Sequence, residues 1–198
     1  MSRAVLAAGW EPVPFHATVL AATLAPPPRI RPDAIIILSP AAARLALIPE
    51  GALCLAQGAG TALALEGREV LTSAVPRAEG LLQLLKDRFP RGGRFLLARG
   101  ERSREFLEDA TQGTPWVLQP WITHAERALE PPPAAPDVEA LLALSPLQAE
   151  VLGPLSDSRL RFAWGERTHE AFAQVGYPSH GWCEPALPAL QRLLLSRG

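Results

Sequence analysis

The chain has 198 residues, enough to bury a core in one ordinary domain or in two small ones. Its 19 basic and 20 acidic residues give a formal net charge of -1, which provides no electrostatic reason to expect nucleic acid or an anionic membrane as a partner. Its apolar runs are far shorter than the roughly 20 residues that span a bilayer, and its start does not resemble a secretory signal. The sequence therefore predicts a cytoplasmic protein with neither nucleic-acid nor membrane partners.

The first clear predicted unit is a strand that leads directly into a helix. An apolar run over residues 34–38 ends at Ser39, and an Ala-rich stretch follows Pro40. Ser39 suits the helix N-cap and Pro40 the first helical position. Short apolar runs alternating with Ala/Leu-rich stretches are typical of parallel strands that are buried on both faces and connected by helices.

Further units of the same kind follow along the chain. A second apolar run, 53–56, leads to Gly58 and Thr61. A helix is predicted around 81–89 and a strand from Arg94 onward. These elements together predict a small parallel sheet with covering helices.

The same order of units then recurs downstream. The Ser-Pro junctions are 106 residues apart and the Gly-x-x-Thr turns are 107 residues apart. That period is far longer than the 20 to 50 residues of solenoid repeats, so it indicates a duplicated domain. The matched positions are Ser39 with Ser145, Pro40 with Pro146, Gly58 with Gly165, and Thr61 with Thr168.

Two proline-rich segments, 25–29 and 130–136, each precede one copy of the repeat. Such segments form stiff, extended spacers, and a strand-like run lies just before each of them. We expect hinge strands near 15–24 and 117–125 and an inserted lobe over 26–116. The second lobe would be discontinuous, built from 1–20 and 124–198. The predicted fold is thus α/β, with two similar parallel-sheet lobes joined by a two-stranded hinge and a binding cleft where their strand-end loops meet.

Known catalytic and cofactor motifs do not occur in the sequence. The four histidines lack metal-ligand spacing, so no metal site is predicted. Gly58 and Gly60 are followed by Leu63 where a dinucleotide site needs its third glycine, and no cofactor is expected. Neither Ser39 nor Ser145 lies in a Gly-x-Ser-x-Gly elbow. The two cysteines, Cys54 and Cys183, are interpreted as buried apolar residues without a disulfide.

The repeated strand-to-helix junctions remain as candidate binding residues. Ligands of open parallel sheets bind beyond the carboxyl ends of the strands, where helix N-termini offer backbone N–H groups to carboxylates or phosphates. A simpler interpretation also stands, because Ser-Pro is a favourable helix start and glycine permits a tight turn. The candidates are Ser39, Gly58, Thr61, Ser145, Pro146, Gly165 and Thr168.

An arginine-rich segment offers a second kind of candidate. Arg99 follows a predicted strand end, Gly100 comes next, and Arg102 and Arg104 lie in the following turn. Guanidinium groups placed in this way can clamp carboxylates. Alternatively, the segment is a solvated helix start whose arginines pair with neighbouring acidic residues. Those residues are Glu101, Glu105 and Glu108.

The ordered set of units resembles the uroporphyrinogen-III synthase family over nearly the whole chain. Family members carry a Ser-Pro or Ser-Ala junction in each lobe, a Gly-x-x-Thr turn after the following strand, and a Leu-Arg-Gly-like segment before the return strand. The resemblance rests on the order and spacing of these motifs together. They stand here as Leu38-Ser39-Pro40, Gly58 to Thr61, Ala98-Arg99-Gly100 with Arg102 to Arg104, Leu144-Ser145-Pro146, and Gly165 to Thr168.

The resemblance implies a cofactor-independent, monomeric lyase of tetrapyrrole synthesis. Such an enzyme closes linear hydroxymethylbilane to uroporphyrinogen III, inverting the last pyrrole ring through a spiro intermediate with loss of water. The partner would be this acidic linear tetrapyrrole. Arg99, Arg102 and the helix starts would hold its carboxylates, while Thr168 and, by symmetry, Thr61 would line the cleft as neutral donors. Movement of the lobes about the hinge would admit substrate and release product.

The sequence departs from the family pattern at a position assigned to catalysis. The family places a tyrosine in the return hinge strand, where it is thought to help the hydroxyl leave, and this chain has Trp121. An indole can donate one N–H but cannot act as a phenolic acid. Trp121 at this position predicts low activity or another proton donor. The alternative hypothesis is a non-catalytic family member that binds an acidic tetrapyrrole or a protein partner, and a third is a binder of phosphorylated metabolites.

A second departure concerns the start of the sequence. The family opens with a strand ending in Thr-Arg-Pro, then a helix, then a strand resembling residues 10–15 of this chain. Residues 2–9 match the tail of that helix. The resemblance therefore implies that the discontinuous lobe lacks its first strand, and we expect upstream in-frame DNA to encode it.

Overall fold

A computed structural model of the chain describes residues 1–103 and 105–196. Arg104, which the sequence analysis places in the arginine-rich segment, lies outside the described residues. The chain divides into two compact units. The split unit comprises Met1–Val19 and Arg127–Gly198, and the inserted unit comprises Leu20–Glu126.

The elements alternate between strand and helix through most of the chain. None of the helices among the described residues is long and apolar enough to cross a membrane. In chain order the elements are α1 Ser2–Leu6, β1 Thr18–Ala22, β2 Ala34–Ile37, α2 Pro40–Leu45, β3 Cys54–Ala56, α3 Ala59–Leu63, β4 Val70–Thr72, α4 Ala78–Arg88, β5 Gly93–Gly100, α5 Phe106–Ala110, β6 Trp116–Ala128, β7 Ala140–Ala143, α6 Pro146–Leu152, β8 Leu160–Trp164, α7 Glu166–Gln174, β9 Gly181–Cys183 and α8 Leu187–Leu195.

The inserted unit is built on a six-stranded sheet with the order β1-β6-β5-β2-β3-β4. β2 pairs in parallel with both β3 and β5, and the outer pairs β3–β4 and β5–β6 are also parallel. Ile35, Ile36 and Ile37 of β2 are fully buried. Because side chains alternate between the faces of a strand, Ile35 and Ile37 pack on α2 while Ile36 packs on α4. The predicted strand buried on both faces is thus confirmed.

The split unit contains a separate three-stranded parallel sheet with the order β7-β8-β9. One face of this sheet packs on α6 and α7, with Phe172 fully buried there. The other face packs Phe162 against Leu190 and Leu194 of α8. α1 lies beside α8, where Trp10 Nε1 donates a hydrogen bond to the Leu194 carbonyl at 3.4 Å. The predicted fold class, two α/β units with parallel sheets, is confirmed.

Residues 10–15 form no strand, although the family that the sequence resembles has a strand at the corresponding place. Pro12 and Pro14 lack N–H groups, so this stretch cannot make a regular ladder of hydrogen bonds. The pairing begins only at β1. Its partner β6 is a 13-residue strand that extends beyond the predicted hinge segment at both ends.

Candidate functional site

The strand order of the inserted unit reverses between β2 and β5. The chain runs from β2 to β3 and β4 on one side, then returns to β5 on the other side of β2. Open parallel sheets bind ligands outside the carboxyl ends of the two strands at such a reversal. Ser39 lies two residues after the end of β2, and β5 ends with Arg99 and Gly100. We refer to these three residues, together with Thr123 and His124 of β6, as the β2–β5 edge.

Ser39 caps α2 as the sequence predicts. Its Oγ accepts a hydrogen bond from the Ala42 N–H at 3.1 Å, and Pro40 occupies the first helical position. Ser145 and Pro146 repeat this arrangement at α6, where Ser145 Oγ accepts from the Gln148 N–H at 3.2 Å. Since proline has no N–H and the serine uses another, each helix start offers fewer donors to an anion than the sequence analysis assumed.

The two Gly-x-x-Thr turns share their position after a strand but differ in what requires the glycine. Gly165 precedes α7 with φ +102°, a conformation that favours glycine. Gly58 precedes α3 with extended backbone, and a Cβ there would lie 2.8 Å from Pro76 Cβ. Thr61 and Thr168 are both buried, and Thr168 Oγ1 donates back to the Trp164 carbonyl at 3.2 Å. That bond ties the helix start to the preceding strand.

Arg99 is buried and pairs with acidic residues of its own unit. Its Nε lies 2.8 Å from Glu108 Oε1, without the angle of a hydrogen bond, and its Nη2 lies 3.2 Å from Glu105 Oε1. Arg99 therefore has the features that both predictions expected. It lies at the end of a strand, where a carboxylate-binding residue was predicted, and it is also paired with neighbouring acidic residues. Arg102, two residues beyond Gly100, is exposed.

His124 and Thr123 are residues of this edge that the sequence analysis did not select. Arg99 pairs with Ile122, but Gly100 pairs with His124, so Thr123 is an extra residue in a β-bulge. Bulges re-aim side chains and are uncommon between parallel strands. The His124 ring lies against Gly100, where an added Cβ would be 2.9 Å from Nε2. The only sequence signal was a histidine at the end of a predicted strand.

Thr123 holds the His124 ring through Nδ1. Thr123 Oγ1 lies 3.3 Å from the Arg99 carbonyl oxygen and 2.9 Å from His124 Nδ1. A hydroxyl has one proton, so Oγ1 either donates to the Arg99 carbonyl and accepts from an Nδ1–H, or donates to an unprotonated Nδ1. Burial lowers the pKa of the His124 imidazole, which favours its neutral form.

Trp121 lies in the core of the inserted unit. Its side chain is 2% exposed and packs in the cluster that contains Ile37 and Ala98. Its Nε1 donates to the Ala25 carbonyl at 3.0 Å, so the single donor of the indole is already used. This contact holds the proline-rich segment against β6.

Three other features bear on what the described residues can bind. Among the described residues, no group of three or more histidine, cysteine or acidic side chains has a metal-binding arrangement. Cys54 and Cys183 are buried and unbridged, and burial raises the pKa of both thiols. A cavity of about 470 Å³ lies at the opposite, amino-terminal edge of the inserted sheet, before β3 and β4. Its lining contains none of the residues of the β2–β5 edge, and includes Glu50, Glu66, Arg68 and Glu69.

Two solved structures share the fold over nearly the whole chain. Uroporphyrinogen-III synthetase from Helicobacter pylori is 16% identical, with 91% of this chain and 90% of that chain covered and a TM-score of 0.65. A mutant of uroporphyrinogen III synthase from Thermus thermophilus is 20% identical, with 100% and 94% covered and a TM-score of 0.50. No family model and no curated protein matches the sequence.

Proposed function

We propose that the chain is a uroporphyrinogen-III synthase-like lyase that closes hydroxymethylbilane to uroporphyrinogen III. The supporting observation is that a chain with this fold also carries the ordered Ser-Pro, Gly-x-x-Thr and Ala-Arg-Gly motifs at the carboxyl ends of its strands. The proposal includes a role for the chain in porphyrin and haem biosynthesis.

The proposed reaction needs no cofactor, because the pyrroles of the substrate supply the reacting carbons. Water leaves from the hydroxymethyl group, the last ring inverts through a spiro intermediate, and the macrocycle closes. The protein's contribution is then to hold a flexible linear substrate in a productive conformation. The β2–β5 edge suits that task because it lies where open parallel sheets bind their ligands.

Charge and exposure distinguish the residues that would contact the substrate. Arg102 is exposed, so its guanidinium is accessible to a carboxylate of the substrate, whereas Arg99 is buried and paired with Glu105. We therefore assign carboxylate binding first to Arg102, with Arg99 supporting the segment. Ser39, Gly58, Thr61 and Gly100 would shape the edge in the inserted unit, and Ser145, Pro146, Gly165 and Thr168 the matching strand ends of the split unit.

Isomer analysis of the product tests this function. Hydroxymethylbilane closes without a catalyst to isomer I alone, so formation of isomer III reports the enzyme. We expect isomer III from the folded wild-type chain. Exclusive formation of isomer I by well-folded protein would contradict the proposal. The substitution Arg102→Gln should raise KM several-fold, while Lys86→Gln, which removes an exposed cation in the last turn of α4, should leave KM unchanged.

The position of Trp121 supports one alternative, a protein that binds an acidic tetrapyrrole without turnover. The indole is buried and its N–H is engaged, so it is not placed to protonate a leaving hydroxyl. This alternative predicts saturable binding of uroporphyrinogen together with isomer I as the sole product. Formation of isomer III above the uncatalysed background would exclude it.

A further inference from the structure

Arg99 and Glu108 contain buried polar atoms that the fold leaves without hydrogen bonds. Arg99 Nε and both carboxylate oxygens of Glu108 have no hydrogen-bond partner, although the two side chains form an ion pair. The Nη1 contacts of Arg99 with the carbonyls of Gly100 and Ser103 are long, at 3.5 Å each. A guanidinium bonded to a carboxylate in the fork geometry makes shorter contacts, of about 2.7–2.9 Å. The donors of this buried arginine are therefore poorly satisfied, which calls for an explanation.

Glu105 is the more weakly held of the two carboxylates on Arg99. Its side chain is 69% exposed, against 17% for that of Glu108, so it is the partner nearer to solvent. It directly precedes α5 but makes no side-chain hydrogen bond to the start of that helix. Because an exposed ion pair contributes little to stability, Glu105 can leave Arg99 Nη2 at small cost.

The charges of this cluster favour exchange of a carboxylate over addition of one. One guanidinium meets two carboxylates, an excess of one negative charge. A further carboxylate added to the cluster would be repelled. A carboxylate that replaces Glu105 leaves the charge unchanged, and the buried Glu108 keeps its place beside Arg99.

We propose that Glu105 occupies, in the free protein, the place on Arg99 that a carboxylate of the tetrapyrrole takes in the complex. Glu105 is thus a built-in competitor of the substrate. This inference rests on the proposed function for the identity of the ligand. Arg102 would hold one carboxylate first, and a second carboxylate of the same molecule would then meet Glu105 at a high effective concentration. A ligand with a single carboxylate lacks that advantage, so the contact favours ligands with several.

Binding of uroporphyrinogen III tests the competition without turnover. Glu105→Gln removes the competing charge, and Glu105→Asp keeps the charge on a side chain that is one methylene too short for the contact with Nη2. In anaerobic titration calorimetry we expect both variants to bind about two- to fivefold more tightly than wild type, the effect of losing one exposed ion pair. The matched control is Glu66→Gln, which removes an exposed charge at the opposite edge of the same sheet and should leave Kd unchanged.

The outcomes separate this inference from the proposed function. Equal or weaker binding by Glu105→Gln, or a gain no larger than that of Glu66→Gln, would overturn the inference, and so would the absence of saturable binding by wild type and variants alike. A gain for Gln without one for Asp would also contradict it, because net charge alone would then matter. If the wild type forms isomer III, Glu105→Gln should lower KM with kcat unchanged. If it forms isomer I alone, the proposed function fails, and the titration still decides whether Glu105 competes.

Discussion

Gly100 shows how one missing side chain shapes the β2–β5 edge. Its backbone needs no special conformation; what it provides is space. A Cβ at this position would lie 2.9 Å from His124 Nε2 and 3.3 Å from Cε1. The ring cannot swing away without breaking its contact with Thr123. The glycine and the histidine therefore depend on each other.

Gly100→Ala is expected to lower the free energy of unfolding by about 1–3 kcal/mol, the usual cost of overpacking. It should also shift the His124 ring resonances, because the methyl group displaces the imidazole. The matched control is Gly60→Ala in α3, where the added Cβ would meet only Pro40 Cγ at 3.9 Å. That change should leave stability equal or raise it by up to about 1 kcal/mol. Urea denaturation of both variants checks this, and equal losses would contradict the steric argument.

At the level of single residues, the sequence predicted the local structural position of a residue better than the contacts that its side chain makes. It placed Ser39 and Ser145 correctly as helix caps, because capping depends on local chemistry alone. It did not foresee that Trp121 would be buried or that His124 would face Gly100. Both depend on which face of β6 each side chain occupies, and the bulge at Thr123 changes that face.

At the level of elements, α5 is tied to the end of β5 through one buried charge pair. The side chain of Arg99 is 7% exposed, that of Glu108 17%, and that of Glu105 69%. The two carboxylates thus meet the same guanidinium in very different surroundings. A buried charge that loses its partner is costly, whereas an exposed ion pair contributes little.

Glu108→Gln should therefore destabilise the fold by about 3 kcal/mol, since it leaves the buried Arg99 charge with only the exposed Glu105 carboxylate as its ion-pair partner. Glu105→Gln removes a carboxylate from the same arginine but should cost less than about 1 kcal/mol, because solvent screens that pair. Thermal and urea unfolding of the two variants provide the comparison. A larger effect from Glu105 than from Glu108 would show that the exposed pair, not the buried one, holds the segment.

The two copies of the repeat differ in which group accepts the hydrogen bond from the N–H of the residue after the strand. In the inserted unit the Leu38 N–H donates to the Ala98 carbonyl of β5 at 3.3 Å. At the matched position of the split unit, the Leu144 N–H donates to Gln148 Oε1 at 2.9 Å. In the split unit the Gln148 side chain thus accepts the hydrogen bond that strand β5 accepts in the inserted unit. The repeat predicted the strand in each copy, but a repeat in sequence does not determine which group pairs with each strand end.

For the whole molecule, the duplication and the α/β class followed from the spacing of local signals, whereas the exact limits of the units did not. The predicted inserted lobe covered 26–116, and the compact unit is Leu20–Glu126. The difference consists of residues 20–25 and 117–126, most of which lie in β1 and β6 of the inserted sheet. Strand pairing between distant segments sets these limits, and hydrophobic patterning along the chain does not report it.

The inserted unit has the features of an independently folding domain. It is continuous in sequence and contains two clusters of buried apolar residues, one on each face of its sheet. The split unit depends on both chain ends, which meet where the Leu129 N–H donates to the Ala17 carbonyl at 3.1 Å. That contact shows that the chain leaves and re-enters the split unit at neighbouring points.

A fragment comprising residues 20–126 is therefore expected to fold alone, with cooperative urea unfolding and protected amides in β2 and β5, because its core needs no residue from the split unit. The complementary chain, in which residues 20–126 are replaced by a loop of about four glycine and serine residues, should also fold, since the Ala17–Leu129 contact keeps its ends close. Circular dichroism and hydrogen exchange measure both. Non-cooperative unfolding of the 20–126 fragment, with unprotected amides in β2, would mean that its sheet requires the split unit. The inserted unit would then be continuous in sequence but unable to fold as an independent domain.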